Sequence, residues 1–275
     1  MQRIPTILLA LTMIFADGMR SSAQPSLGFA LCNAGLLRDT LPSLFYNDSA
    51  WTPEGAMGWN SERYERKTMQ TAALLDSLGM PVAALFGAEN ESVVRDVVSR
   101  CESEYSYVHR TADSYDGSDF VLLYYADKLF PSRVRCSRRS MTVEAEYEGV
   151  RYAFILCNRE NGLSVIVREL RARDPGIRIV AAGVFDDREL RRSSLRDLTR
   201  KAASEGRGTV RDSRGWRMAD RIAADTDAEA VCDVYVRRWL LDRSGAPAAT
   251  YEGTRYTGGT GGHLPLFARL RYKSD

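Results

Sequence analysis

Short, almost unbroken apolar runs constrain this chain more than any other feature: residues 27–32, 81–86, 120–125 and 177–185. Runs of that length read as strands buried on both faces, because a half-exposed strand would alternate polar with apolar residues. Helical patterns lie between them. Asn60-Ser61 caps a helix predicted to run to Leu78, with Tyr64, Thr68, Thr71, Leu75 and Leu78 on one face and Gly79 as its stop. Residues 91–100 are helical, placing Val94, Val97, Val98 and the following Cys101 on one side; residues 163–173, ended by Pro175-Gly176, and 189–203 form two further helices. Residues 141–147 and 151–157 flank Glu148-Gly149 as a hairpin, and a last strand covers 264–270. Interleaved helices, buried strands and hairpins argue for an α/β (α+β) chain of two packed sheets covered by helices, not for one parallel sheet.

Residues 1–23 read as a secretory signal, with Arg3 at the positive start, an apolar centre over 4–16 and Ser21-Ser22-Ala23 as the cleavage site. The expectation is therefore an exported protein whose residues 24–275 form a single domain, with no later stretch apolar and long enough for a membrane helix. No linker, repeat or low-complexity block divides it. Export permits disulfides, but five cysteines are an odd number, and no Cys-x-x-Cys spacing points to zinc. Cys32 and Cys157 sit within apolar runs as core residues. A net charge of +2 gives little electrostatic drive for strong non-specific DNA binding. The basic run 188–201 reads as a solvated helix face.

The C-terminal stretch 250–266, TYEGTRYTGGTGGHLPL, is a glycine-rich loop that delivers His263 to the start of the last strand. It resembles the terminal segment of exported bacterial members of the endonuclease/exonuclease/phosphatase superfamily, the DNase-type metal-dependent phosphodiesterases, which reads roughly R-T-Y-x-G-x-x-Y-x-G-G-x-S-D-H-L-P. Other stretches match in order: ALCNAGLL with Asn33, WNSERYERK at 59–67, His109-Arg110 followed by Asp113 and GSDFVLLY with Asp119, GWRMAD with Asp220, and Trp239-Leu240-Leu241-Asp242. The arginine that precedes the glycine of the family's segment is Asp116 here. The resemblance implies a four-layer sandwich of two mixed β-sheets flanked by helices, with an active site at the loop ends of the sheets. It also implies that Asn33 orients phosphate and metal, and that a terminal Asp-His pair is catalytic.

The catalytic positions depart from that pattern. The family's metal-holding glutamate in L-Q-E-V-E-N falls on Gly87, and the base-positioning Asp and phosphate-binding Asn of G-D-F-N-D fall on Val184 and Asp186. The N-H pair falls on Cys157-Asn158 or on Asn158-Arg159, without a histidine in either register, and the terminal Asp is Gly262. Mg²⁺ needs oxygen ligands, normally including carboxylates, and Gly87 and Gly262 supply none. The candidate site is therefore His263, Asp220 and Asp119 as catalytic survivors, Asn33, Asn158 and Asp186 as ligand-binding residues, and Glu89 as a displaced metal ligand. The terminal glycine amides are expected to form an anion-binding nest beside them. The favoured expectation is a degenerate member of this hydrolase superfamily, a pseudoenzyme that binds a phosphate-containing ligand or a protein partner without a cofactor. The alternative is an active Mg²⁺- or Mn²⁺-dependent phosphodiesterase, nuclease or phosphatase, with a rearranged site. A third class is a purely structural surface protein.

Overall fold

A computed structural model of the chain describes residues 26–112, 117–159 and 162–272. The predicted signal, residues 1–23, and Asp113 and Asp116 lie outside the described residues. The chain runs through β1 (Leu27–Leu37), α1 (Ser61–Leu78), β2 (Val82–Ala88), α2 (Glu91–Val98), β3 (Tyr105–Arg110) and β4 (Phe120–Tyr125). It continues with β5 (Leu129–Cys136), β6 (Ser140–Tyr147), β7 (Val150–Asn158), α3 (Leu163–Arg173), β8 (Arg178–Val184), α4 (Asp187–Ser193), β9 (Arg196–Asp197) and α5 (Arg200–Ser204). The last part holds β10 (Val210–Asp212), β11 (Gly215–Arg217), β12 (Arg221–Ala224), β13 (Glu229–Val234), β14 (Tyr251–Glu252), β15 (Arg255–Tyr256) and β16 (Leu266–Arg271).

Two six-stranded sheets result, ordered β13-β16-β1-β2-β4-β3 and β5-β6-β7-β8-β12-β9. Both are mixed: β1 pairs parallel with β2 and β7 parallel with β8, whereas β16 runs antiparallel to β1 and β6 antiparallel to β7. The apolar runs form the central strands, as their lack of alternation requires. Every residue of β2 is buried. In β7 the period of two divides the side chains between the two faces: Tyr152, Phe154 and Leu156 enter the main core, while Ala153, Ile155 and Cys157 face a second cluster with Leu163, Val167 and Leu170 of α3. The sheets meet face to face where the Phe29 and Phe154 rings stack 5.9 Å apart. Helices cover the outer faces, which gives a four-layer α/β sandwich.

Local chemistry sets the ends of the elements. The Asn60 side chain accepts the Arg63 amide at the start of α1, and Gly79 ends that helix in the left-handed region. The β6–β7 hairpin turns at Glu148-Gly149, both at positive φ, the two-residue turn whose twist matches its strands. The predicted helix over 189–203 is corrected. It breaks at Ser194, at φ 61°, into α4 and α5, because Arg196 and Asp197 pair with Ala224 and Ala223 to finish the edge of the second sheet. Among the described residues no helix is long and apolar enough to cross a membrane. Among the described residues no disulfide forms, and Cys32 and Cys157 are buried as expected from their apolar runs.

One face of α1 fixes the terminal glycine loop. Arg63 lies over the Tyr256 ring and donates to the carbonyls of Met57 and Gly58, buried Lys67 donates to Thr250 Oγ1, and Gln70 Nε2 donates to the Gly258 carbonyl at 2.9 Å. Residues three and four apart share a helix face, so three side chains reach one loop. Trp51 packs edge-on against fully buried Trp59 and against Tyr251 beside them.

Candidate functional site

The loop ends of both sheets open onto one cleft. Asn33, at the end of β1, is locked twice: its Oδ1 accepts the Gly35 amide at 3.0 Å, and its Nδ2 donates to Asp220 Oδ1 at 2.9 Å. Asp220, just before β12, is almost fully buried, and its Oδ2 lies 2.6 Å from His263 Nδ1. Burial raises the Asp220 pKa, but hydrogen bonds from His263, Asn33 and Thr209 outweigh it and hold the carboxyl below the usual carboxylate range. An ionised carboxylate only accepts, so Nδ1 carries the proton and Nε2 is left as the ring's second functional nitrogen. Three residues predicted from distant parts of the chain, Asn33, Asp220 and His263, thus form one relay.

The floor beneath this relay is backbone. Gly87, at the end of β2, has φ +96°, and a Cβ placed there would lie 1.8 Å from the Gly35 carbonyl oxygen. On the other side of Gly35, a Cβ on Gly261 would lie 2.3 Å from the Ala34 carbonyl oxygen. The end of β1 is therefore clamped between two glycines, and its register shifts against β2 between Asn33 and Leu37. The position that matches a metal-holding glutamate has no room for any side chain. Gly262 differs: its φ is +77°, but a Cβ would meet Ala249 only at 3.6 Å, an ordinary contact.

The expected acids lie elsewhere. Glu89 is buried with its Oε1 taking the Tyr46 hydroxyl and Arg38 Nη1 and its Oε2 the Asp39 amide, and burial pushes its pKa up. Asp119 joins His109 Nε2, at 2.6 Å, to the Ala112 amide. Asp186 caps α4 through the Glu189 amide, and neighbouring Asp187 pairs with Arg221, which lowers its pKa. Partners within the fold account for all of these carboxylates, and none is among the described residues that line the cleft. Asn158, which pairs with Val184 at the ends of β7 and β8, does line it. The predicted amide nest is also corrected. The amides of Gly258, Gly259, Gly261 and Gly262 donate to the carbonyls of Thr250, Ala249 and Ala248, which folds the loop on itself.

The cleft has a volume of about 760 Å³. Its lining combines Asn33, Asn158, Ser118 and His263 with the arginines Arg138, Arg139, Arg159 and Arg217. Sequence reading missed all four arginines. Two sit in the β5–β6 turn, one follows β7, and one closes the β10–β11 hairpin. The visible signal was Ser137-Arg138-Arg139-Ser140 between two strands, obscured by the longer basic run 188–201, whose arginines are exposed away from the cleft. Metal chemistry fits this lining poorly. Mg²⁺ and Mn²⁺ prefer carboxylate oxygens, and among the described residues no carboxylate lines the cleft and no three His, Cys, Asp or Glu side chains converge to hold a cation. The lining suits an anion instead, since guanidinium forks match phosphate oxygens.

Comparison with known proteins places this geometry. Residues 28–155 match the family described as Endonuclease/Exonuclease/phosphatase family. No curated protein matches the chain. Among solved structures, an endonuclease/exonuclease/phosphatase from Bacteroides vulgatus superposes with a TM-score of 0.62 at 11% identity, over 91% of this chain and 100% of its own. A mannosyl-6-phosphatase from Bacteroides thetaiotaomicron gives 0.61 at 12% identity, over 90% of this chain and 100% of its own. A humanized D. rerio TDP2 gives 0.57 at 14% identity, over 90% of this chain and 99% of its own. Residues 28–155 of the chain are thus similar to the endonuclease/exonuclease/phosphatase family, and the chain shares its fold with these solved structures.

Proposed function

We propose that this chain is a phosphate-anion-binding module built on a hydrolase fold, exported by its N-terminal segment, in which arginines have replaced the metal. One observation carries the reading: among the described residues, the cleft that holds the Asn33–Asp220–His263 relay is lined by four arginines and no carboxylate. A phosphoryl group carries about −1.5 to −2 charge at neutral pH, and a cation must meet it there. In a metal-dependent site the ion does so; in this chain guanidinium groups line the cleft instead. The relay then holds His263 against the same anion. A phosphorylated ligand is also what the name of the mannosyl-6-phosphatase neighbour specifies for that protein.

A second reading, residual phosphodiester or phosphomonoester hydrolysis, draws on the buried Asp220 paired with His263, a base held ready at Nε2. Calorimetric titration with inorganic phosphate, in chelator and then with Mg²⁺, separates the two. The proposal expects binding in chelator that Mg²⁺ does not strengthen, and no turnover of a chromogenic phosphodiester. Turnover that requires Mg²⁺ or Mn²⁺ and disappears in His263→Ala overturns it. The export part is checked by the mature N-terminus after secretion, expected at Gln24; retention of Met1 contradicts it.

A further inference from the structure

The geometry points to Thr209 as the positioning residue that sets His263 in the cleft, because it bonds to the chain on both sides of the Asp220–His263 pair; this rests on the anion-binding reading above. Thr209 lies between α5 and β10 and is fully buried. Its side chain serves Asp220. Thr209 Oγ1 accepts the Ala219 amide at 3.1 Å and the Asp220 amide at 3.2 Å, and its hydroxyl proton goes to the Asp220 carboxyl. That uses the full capacity of a hydroxyl, one donor and two acceptor lone pairs. Its main chain serves His263. The Thr209 carbonyl accepts the amide of buried Leu264, one residue beyond the histidine, at 2.7 Å. One residue therefore fixes the backbone under the acid, the carboxyl of the acid and the backbone beside the base.

Thr209 has little freedom to give way. Its amide donates to the Arg217 carbonyl at 3.0 Å, which ties it to β11. The residue before it is pressed onto the same strand: a Cβ on Gly208 would lie 2.5 Å from the Arg217 carbonyl oxygen. Asn33 holds Asp220 Oδ1 from β1, so the carboxyl is gripped from two directions. A buried carboxylate short of donors is costly, and each of these bonds keeps it in one place. His263 follows that placement. Its Nδ1 has Asp220 Oδ2 as partner, and its side chain, 25% exposed, lines the cleft. With Nδ1 held, Nε2 is the ring nitrogen left for a ligand.

The test is a double-mutant cycle on the purified protein, read by calorimetric titration with inorganic phosphate in chelator. Thr209→Val keeps the shape and removes the hydroxyl. It is expected to weaken phosphate binding about fivefold in the otherwise unaltered protein, and by less than about twofold when His263→Ala is already present. Thr209→Ser, which keeps the hydroxyl, should bind within about twofold of the unaltered protein. A residue that only supported the fold would lower the affinity by the same factor in both backgrounds. That additive outcome would overturn the positioning role and leave the anion site standing, as would a Thr209→Ser as weak as Thr209→Val. Thr209→Val leaves two buried amides without an acceptor. Should it not fold, Thr209→Cys, a poor acceptor of similar size, takes its place with the same expectations. No phosphate binding by the unaltered protein would overturn both readings.

Discussion

At the scale of single residues, the departures from a metal-dependent site are of two kinds, and the structure separates them. Gly87 is fixed by its neighbours: any side chain meets the Gly35 carbonyl at 1.8 Å, on a backbone at positive φ. Gly87→Ala is therefore expected to destabilise the fold by about 3 kcal/mol or more, read as a fall in the urea midpoint at unchanged slope. Gly262→Asp has ordinary space around its Cβ, and aspartate tolerates the left-handed region, so it should cost about 1 kcal/mol and fold. Restoring one acid is sterically allowed and restoring the other is not. Lys67 supplies a pH-dependent prediction. It is fully buried with Thr250 as its partner, and burial lowers its pKa to about 7. A base whose folded pKa lies below its unfolded value makes the unfolded chain bind more protons between those values, so stability rises with pH from about 7 to about 10.5. Lys67→Met should flatten that rise and raise stability at pH 7 by on the order of 3 kcal/mol, checked by denaturation at a series of pH values.

At the scale of elements, the legible parts were those whose pattern is local. The helix from Ser61 to Leu78 shows its cap, its face and its stop in the residues themselves, and Leu163–Arg173 and Phe120–Tyr125 emerge with the bounds expected from their sequences. Asn60→Ala should cost about 1 kcal/mol, seen as a lower melting temperature, because the Arg63 amide loses its acceptor. What failed was decided at a distance. The stretch 189–203 has helical composition throughout, but Arg196 and Asp197 are recruited to β12, and sheet pairing overrides propensity. Tyr105–Arg110 carries His109 and escaped notice, since its side chains are mostly half-buried and show no clean alternation. Asn33, Asp220 and His263 were legible as separate positions through resemblance; that they form one relay is a property of the fold. Glu89, Asp119 and Asp186 looked like site residues because a sequence shows an acid without showing its hydrogen-bond partners.

At the scale of the whole molecule, the two-sheet sandwich brings strand ends and loops of both sheets to one cleft and leaves its chemistry to the side chains placed there. A net charge of +2 gave no hint of a basic site, because the four cleft arginines are diluted among 38 Lys and Arg and 36 Asp and Glu. Local concentration of charge, not its sum, is what an anion meets. The measurement that tests the central claim most directly is calorimetric binding of inorganic phosphate to the purified protein in chelator, beside Arg139→Gln and Arg159→Gln. The account predicts saturable binding that needs no metal and weakens about tenfold in either variant. Binding that appears only with Mg²⁺ and is indifferent to both arginines would contradict it.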